Sequence, residues 1–213
     1  MIMKFEDREN ASAKGIIKKI TEEHINEVIQ IHIEALSGEF LPSLGNDFLR
    51  TLYSGILESN QSIGFVYIME EKVVGFVLAS KDTNKLFKDV IKRRWPMLVL
   101  TALKRIINSP SLLPKIFETF LYPNKVRYED NIIAELIVIA VDKKYRGNKI
   151  GKELINTLNK MFLKENIYTY KVVVFKNNKQ ANNFYKAIGF HFYHSAILYK
   201  KECNVYRYDI SKK

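Results

Sequence analysis

The stretch Ala134–Leu158, reading AELIVIAVDKKYRGNKIGKELINTL, constrains this chain more than any other. Glu135–Val141 is a run of branched apolar residues that belongs in a buried strand. From Lys149 onward, Ile150, Leu154, Ile155 and Leu158 repeat as one stripe of a helix. Between the two lies a charged turn, Asp142–Asn148, centred on Tyr145-Arg146-Gly147. A strand that turns abruptly into a helix leaves unpaired backbone N–H groups aimed at one spot, and the positive end of the helix dipole adds to them. The turn Arg146–Lys152 is therefore expected to hold an anion. It is neither the Gly-x-x-x-x-Gly-Lys-Ser/Thr loop of nucleoside triphosphate enzymes nor the Gly-x-Gly-x-x-Gly dinucleotide turn.

Size and charge narrow what the site can serve. With 213 residues, 47% of them hydrophobic, the chain is expected to form a single domain over 15–213, preceded by an irregular leader over 1–14. The lone cysteine, Cys203, has no internal partner, and acids stand where a signal peptide would carry its apolar core, so a cytoplasmic location is expected. The longest uncharged apolar run, Trp95–Leu103, is about half the roughly 18 residues that a membrane span needs. The net charge of +11 favours anionic ligands, among them nucleotide-linked molecules, nucleic acid and anionic membranes. Lysine-rich usage can follow genome composition, so the sign alone does not point to nucleic acid. No spaced His/Cys/carboxylate cluster suggests a metal.

Read in order, Gly15–Ile20 is a short strand and Thr21 opens a helix carrying Ile25, Val28, Ile29, His32 and Leu36. Ser37–Leu44 is a loop with Phe40 and Leu41, and Asn46 or Asp47 caps a helix with Phe48, Leu49, Leu52 and Ile56 on one face. Ser62–Met69 and Val73–Ser80 form an antiparallel hairpin, with Gly75 marking a bulge or a close approach. Asp82–Leu121 shows helical spacing broken at Trp95-Pro96 and restarted at Ser109-Pro110, predicting two or three helices. It holds eight basic residues against three acids. Tyr170–Phe175 is a further strand, Asn177-Asn178 a turn, and Ala181, Phe184, Tyr185 and Ile188 a helix face ended by Gly189. Phe190–Tyr199 and Cys203–Ile210 alternate as a closing hairpin.

Two motifs in this order, Arg146-Gly147-Asn148-Lys149-Ile150-Gly151 and Asn178-x-x-Ala181-x-x-x-Tyr185-x-x-x-Gly189-Phe190, resemble the GCN5-related N-acetyltransferase (GNAT) superfamily. The likeness extends over nearly the whole chain, the leader and the Asp82–Leu121 insertion apart. It implies an α/β fold: a mixed, mostly antiparallel central sheet flanked by helices, here with a helical insertion before the central strand. It also implies acetyl-coenzyme A as acetyl donor. Arg146, Gly147, Asn148, Lys149, Ile150, Gly151 and Lys152 would cradle its pyrophosphate, and the backbone of Ile139, Ala140 and Val141 and the Asn178 side chain would hold its pantetheine. Lys149 departs from the pattern, standing where the family has the first of two spaced glycines. A lysine fits there if the position needs only a helical φ; if it needs close backbone approach, the loop is impaired.

Acetyl transfer to an amine needs a neutral nitrogen, a polarised thioester carbonyl and a proton for the leaving sulfur. The resemblance assigns the proton donor to Tyr185. Glu135, on the central strand, is either the base, as in some superfamily members, or a structural carboxylate. Another branch places its base five residues before the asparagine, which here is Val173. His191 and His194, on the closing hairpin, stand where they could relay protons through water. Transfer is expected to be direct, since Cys203 is remote in sequence from the motifs. The acceptor expected is a small amine, with the basic insertion favouring an anionic one such as an amino sugar. The alternatives are a protein or peptide amine, or coenzyme A or nucleic acid bound without turnover. The insertion is read either as a wall of the acceptor pocket or as a helical cap or homodimer contact.

Overall fold

A computed structural model describes residues 15–37, 39–107, 109–116, 118 and 131–210; the expected leader and most of the insertion's end, 119–121, lie outside them. The architecture is a seven-stranded, mostly antiparallel sheet flanked by helices, in the order β1-β2-β3-β4-β5-β7-β6. The strands are β1 (Ile16–Lys19), β2 (Ser62–Met69), β3 (Lys72–Ser80), β4 (Glu135–Val141), β5 (Thr169–Phe175), β6 (His191–Leu198) and β7 (Lys201–Asp209). Both hairpins turn on two residues with positive φ, Glu70-Glu71 and Tyr199-Lys200. That geometry matches the strand twist of a two-residue connection.

The helices are α1 (Ile25–Ala35), a single turn α2 (Phe40–Ser43), α3 (Asn46–Leu57), α4 (Thr83–Ile106), α5 (Ile150–Lys164) and α6 (Lys179–Ala187). Alternation along β3 divides the core between the two faces of the sheet. Val73, Phe76 and Leu78 pack with α1, α3 and α4. Val74, Val77 and Ala79 pack with α5 and Tyr185. Gly75 serves both of the roles anticipated for it: the register slips beside it, and a Cβ there would come within 3.2 Å of Ala140 O and of Ile150 Cγ2.

Three local expectations need correction. The helix expected after Thr21 begins as a 3-10 turn, Glu22–His24, before α1. The cap of α3 is Gly45, at φ 86°, not Asn46 or Asp47. The insertion does not break at Pro96; α4 runs straight through it for 24 residues. A mid-helix proline costs about 3 kcal/mol. Burial of Leu86 and Val90 before it and Leu98 and Ala102 after it, at roughly 1.5–3 kcal/mol per large side chain, outweighs that cost. Asp82 caps the helix by accepting from Lys85 N at 3.1 Å, and Arg94 ties it to Glu58 of the preceding segment.

His32, only 4% exposed in α1, meets the Tyr53 hydroxyl at 2.6 Å, and burial lowers its pKa to about 4. A histidine held neutral in the fold but free to protonate when unfolded stabilises the protein fully above pH 6.5. That contribution is lost progressively down to about pH 4. The loss should reach about 3 kcal/mol. Denaturant unfolding at stepped pH should show it in the wild type, and His32→Asn should flatten this part of the curve. Equal slopes in the two proteins would show that His32 is not the group responsible.

Candidate active site

The parallel pairing of β4 with β5 is confined to Glu135 opposite Lys171, with Lys171 N donating to Ala134 O at 3.1 Å. Beyond that pair the strands part, and two cavities open along the split. The first, about 370 Å³, lies over the end of β4 and the start of α5. The second, about 220 Å³, lies between Ile137–Ile139 of β4 and Val172–Phe175 of β5. They meet at Leu36, Ile139, Asn178, Ala181 and Tyr185, which line both.

The turn at the mouth of the first cavity is built by short-range bonds. Asp142 accepts from Lys144 N at 2.8 Å, Asn148 donates to Tyr145 O at 3.2 Å, and the Arg146 guanidinium donates to Val141 O at 3.1 Å. Gly147 has φ 87°, and a Cβ placed on it would meet nothing within 4 Å, so the turn presents an open cradle. Gly151 has the opposite reason for being glycine: a Cβ there would lie 3.0 Å from the Phe184 ring, so its absence lets α5 and α6 close together. Lys149 does not take a right-handed helical φ. It caps α5 at φ 62°, ψ 6°, the left-handed conformation that a glycine adopts freely and a lysine adopts only with strain. Every residue expected to hold the donor lines this cavity except Asn148, which instead braces the turn from behind.

On the other side of the split, Asn178 caps α6, its Oδ1 accepting from Ala181 N at 3.0 Å. One turn on, buried Asn182 ties α6 to the sheet. It donates to Phe175 O and Asn178 O and accepts from Asn204 and the Tyr206 hydroxyl. That clamp sets Tyr185, which is 5% exposed and packed against Phe184 and Phe190. Burial, aided by the negative charge of Glu39, pushes the Tyr185 hydroxyl above its ordinary range, so it is held protonated.

The second cavity is mainly apolar but contains two carboxylates, Glu39 and Glu135. Glu135 is 4% exposed and accepts from the Thr83 hydroxyl at 3.2 Å. Glu39, in the segment between α1 and α2, was not singled out from sequence; burial raises its pKa, opposed by Lys201. Its only sequence cue is a lone acid beside Phe40 in an otherwise uncharged loop. Val173 lines the cavity with no ionisable group. His191 and His194 lie on the outer strand β6 and line neither cavity. Cys203, remote from the motifs in sequence, is not remote in space: it lines the second cavity beside Tyr185. Burial raises its thiol to about 11, so at neutral pH it is not the thiolate that a nucleophile requires.

A third cavity, about 400 Å³, adjoins the second through Glu39, Phe40, Phe175 and Tyr199, and Lys115 and Lys201 line it. The insertion thus reaches the site through Phe87, Leu112 and Lys115. Arg93 and Arg94 line none of the three. Among the described residues, no group of three or more His, Cys, Asp or Glu is placed to hold a metal, and no helix is long and apolar enough to cross a membrane.

Comparison with known proteins agrees with this geometry. Residues 25–190 match the Acetyltransferase (GNAT) family. The chain belongs to the GNAT acetyltransferase family. Its activity class is N-acetyl transfer, and its fold recurs in solved structures of low sequence identity. The ribosomal-protein-S18-alanine N-acetyltransferase from Escherichia coli superposes with a TM-score of 0.59 at 15% identity, covering 93% of this chain and 96% of that one. Ard1 from Thermoplasma volcanium gives 0.57 at 17%, covering 93% and 99%. The PaiA N-acetyltransferase from Thermoplasma acidophilum, in complex with coenzyme A, gives 0.55 at 15%, covering 91% and 99%. No match is found among curated proteins.

Because Lys149 occupies a glycine conformation, Lys149→Gly in this GNAT protein should stabilise it by about 0.5–1 kcal/mol. The melting temperature should rise by roughly 2 °C. A fall on calorimetry would mean that the lysine side chain stabilises the turn by more than its backbone strain costs.

Proposed function

We propose that this protein transfers acetyl directly from acetyl-coenzyme A to a small amine, across the junction of the two cavities at Tyr185. The observation that carries this reading is that a protonated tyrosine and a half-buried carboxyl, Glu39, share one cavity that meets a second over the start of α5. Acetyl-coenzyme A supplies the thioester. The free N–H groups and cations of the Arg146–Lys152 turn bind its pyrophosphate, and the parted edge of β4 at Ile139–Val141 and Asn178 hold the pantetheine. Tyr185 donates its proton to the departing sulfur.

Glu39 is the base in this reading. An amine enters as an ammonium, which has no lone pair, and Glu39 is the acid-range group in the cavity whose affinity for a proton is raised by burial. Glu135, engaged by Thr83 beside the strand pairing, orders the floor of the cavity. Cys203 forms no acetyl-enzyme.

The third cavity favours an acceptor with an anionic far end. An amine at Glu39 would place such a group toward Lys115 and Lys201. An amino sugar carrying an acidic group fits that description. A cytoplasmic location is consistent with acetyl-coenzyme A as donor.

A thiol-release assay over a panel of amines tests the scheme. Tyr185→Phe should lower turnover by roughly a hundredfold while donor affinity stays nearly constant. Activity should fall on the acid side through a pKa above the ordinary carboxylate range, because the base must be ionised. Glu39→Gln should remove most activity and that acid limb together, and Glu135→Gln should keep the limb. Lys201→Glu should raise KM for anionic acceptors alone. Wild-type turnover in Tyr185→Phe, or an unchanged acid limb in Glu39→Gln, would overturn the assigned roles.

A further inference from the structure

The outward line of α4 and the residue just beyond it reads Lys85, Lys88, Lys92, Pro96, Leu100, Leu103, Ile107. Spacings of three and four place these seven on one side of the helix, opposite the buried Leu98, Thr101 and Ala102. All seven are exposed, Ile107 by 79%. Trp95, flanking the line, is 58% exposed and is the only tryptophan in the chain. Isolated apolar residues on a surface need no explanation, but a row of this length beside a tryptophan marks an interaction face.

Its charge selects the partner. Seven basic residues and one acid, Asp89, lie in α4. The helix is not apolar enough to cross a bilayer. A second copy packed parallel on this face would bring lysine rows of the same sign together, and one packed antiparallel would set each lysine row against the other's apolar row, in a protein already at +11. An anionic bilayer satisfies both halves of the line. Leucine, isoleucine and tryptophan side chains enter the boundary between headgroups and acyl chains, and the lysine stems carry their ammonium groups to lipid phosphates.

We propose that the outward face of α4 docks this protein on anionic membrane surfaces, with the helix lying in the plane of the interface. The insertion reaches the second and third cavities through Phe87 of α4 and through Leu112 and Lys115 beyond it, so docking holds those cavities near the lipid surface. The inference does not depend on the acceptor's identity.

Flotation of the full chain with vesicles of phosphatidylcholine, with and without about a third phosphatidylglycerol, tests it. The protein should partition to the anionic vesicles only, and the emission of Trp95 should shift to the blue. Lys88→Gln with Lys92→Gln should weaken partition by about thirtyfold, at about a factor of five for each charge. Leu103→Glu with Ile107→Glu should abolish the blue shift and lower partition more than tenfold, with melting temperature and thiol release in solution unchanged. Absence of partition would overturn the proposal. So would equal binding to neutral vesicles, binding that survives Leu103→Glu with Ile107→Glu, or a wild-type dimer that those substitutions split.

Discussion

The early parting of β4 from β5 is the constraint on which the rest of the site depends. A parallel pair that continued past Glu135 and Lys171 would fill the split with ladder hydrogen bonds and bring Ile137–Ile139 against Val172–Val174. Because it stops there, backbone groups of β4 remain available for a ligand, and space opens on both sides of Tyr185. The sheet tolerates the gap because its neighbours are continuous: β3 pairs along β4, and β7 along the whole of β5. Asn182 then fixes α6 over the gap by satisfying four hydrogen bonds at once, so the tyrosine is placed by a rigid clamp and not by its own packing alone.

Strain and charge are concentrated at the same place. The turn into α5 puts a lysine in a left-handed conformation two residues after a glycine whose Cβ would meet nothing, at a helix start that faces a cavity. Across the split the polarity reverses. Carboxylates and a protonated phenol face a mainly apolar chamber, with cations further out at Lys115 and Lys201. In the proposed scheme this polarity would draw a donor that is negative at one end and an acceptor that is positive at one end to opposite mouths of one passage.

How much of this could be read in advance follows from the range of the interactions involved. The local structure of the Arg146–Lys152 turn and of the Asn178-to-Tyr185 helix was legible because each is a local pattern: a turn and a helix start fixed by contiguous residues. The sheet was legible for the same reason, through its alternating hairpins. The places of Glu39 and Cys203 were not, because the segment after α1 and strands β5 and β7 meet around the second cavity in a way that no local pattern encodes. The proline in α4 misled for a related reason. Its local penalty is real, but burial of Leu86, Val90, Leu98 and Ala102 decides the outcome. Of the insertion's basic residues, Arg94 turns to Glu58, whereas Lys115, beyond the helix, lines a cavity.

A crystal structure with acetyl-coenzyme A bound tests the central claim most directly, since that claim is one passage with the thioester at the junction. The account predicts the pyrophosphate on the Arg146–Gly151 turn, the pantetheine along Ile139–Val141, and the sulfur within hydrogen-bond reach of the Tyr185 hydroxyl, with the acetyl group facing Glu39. A donor bound outside this split, or a sulfur directed away from Tyr185, would contradict it.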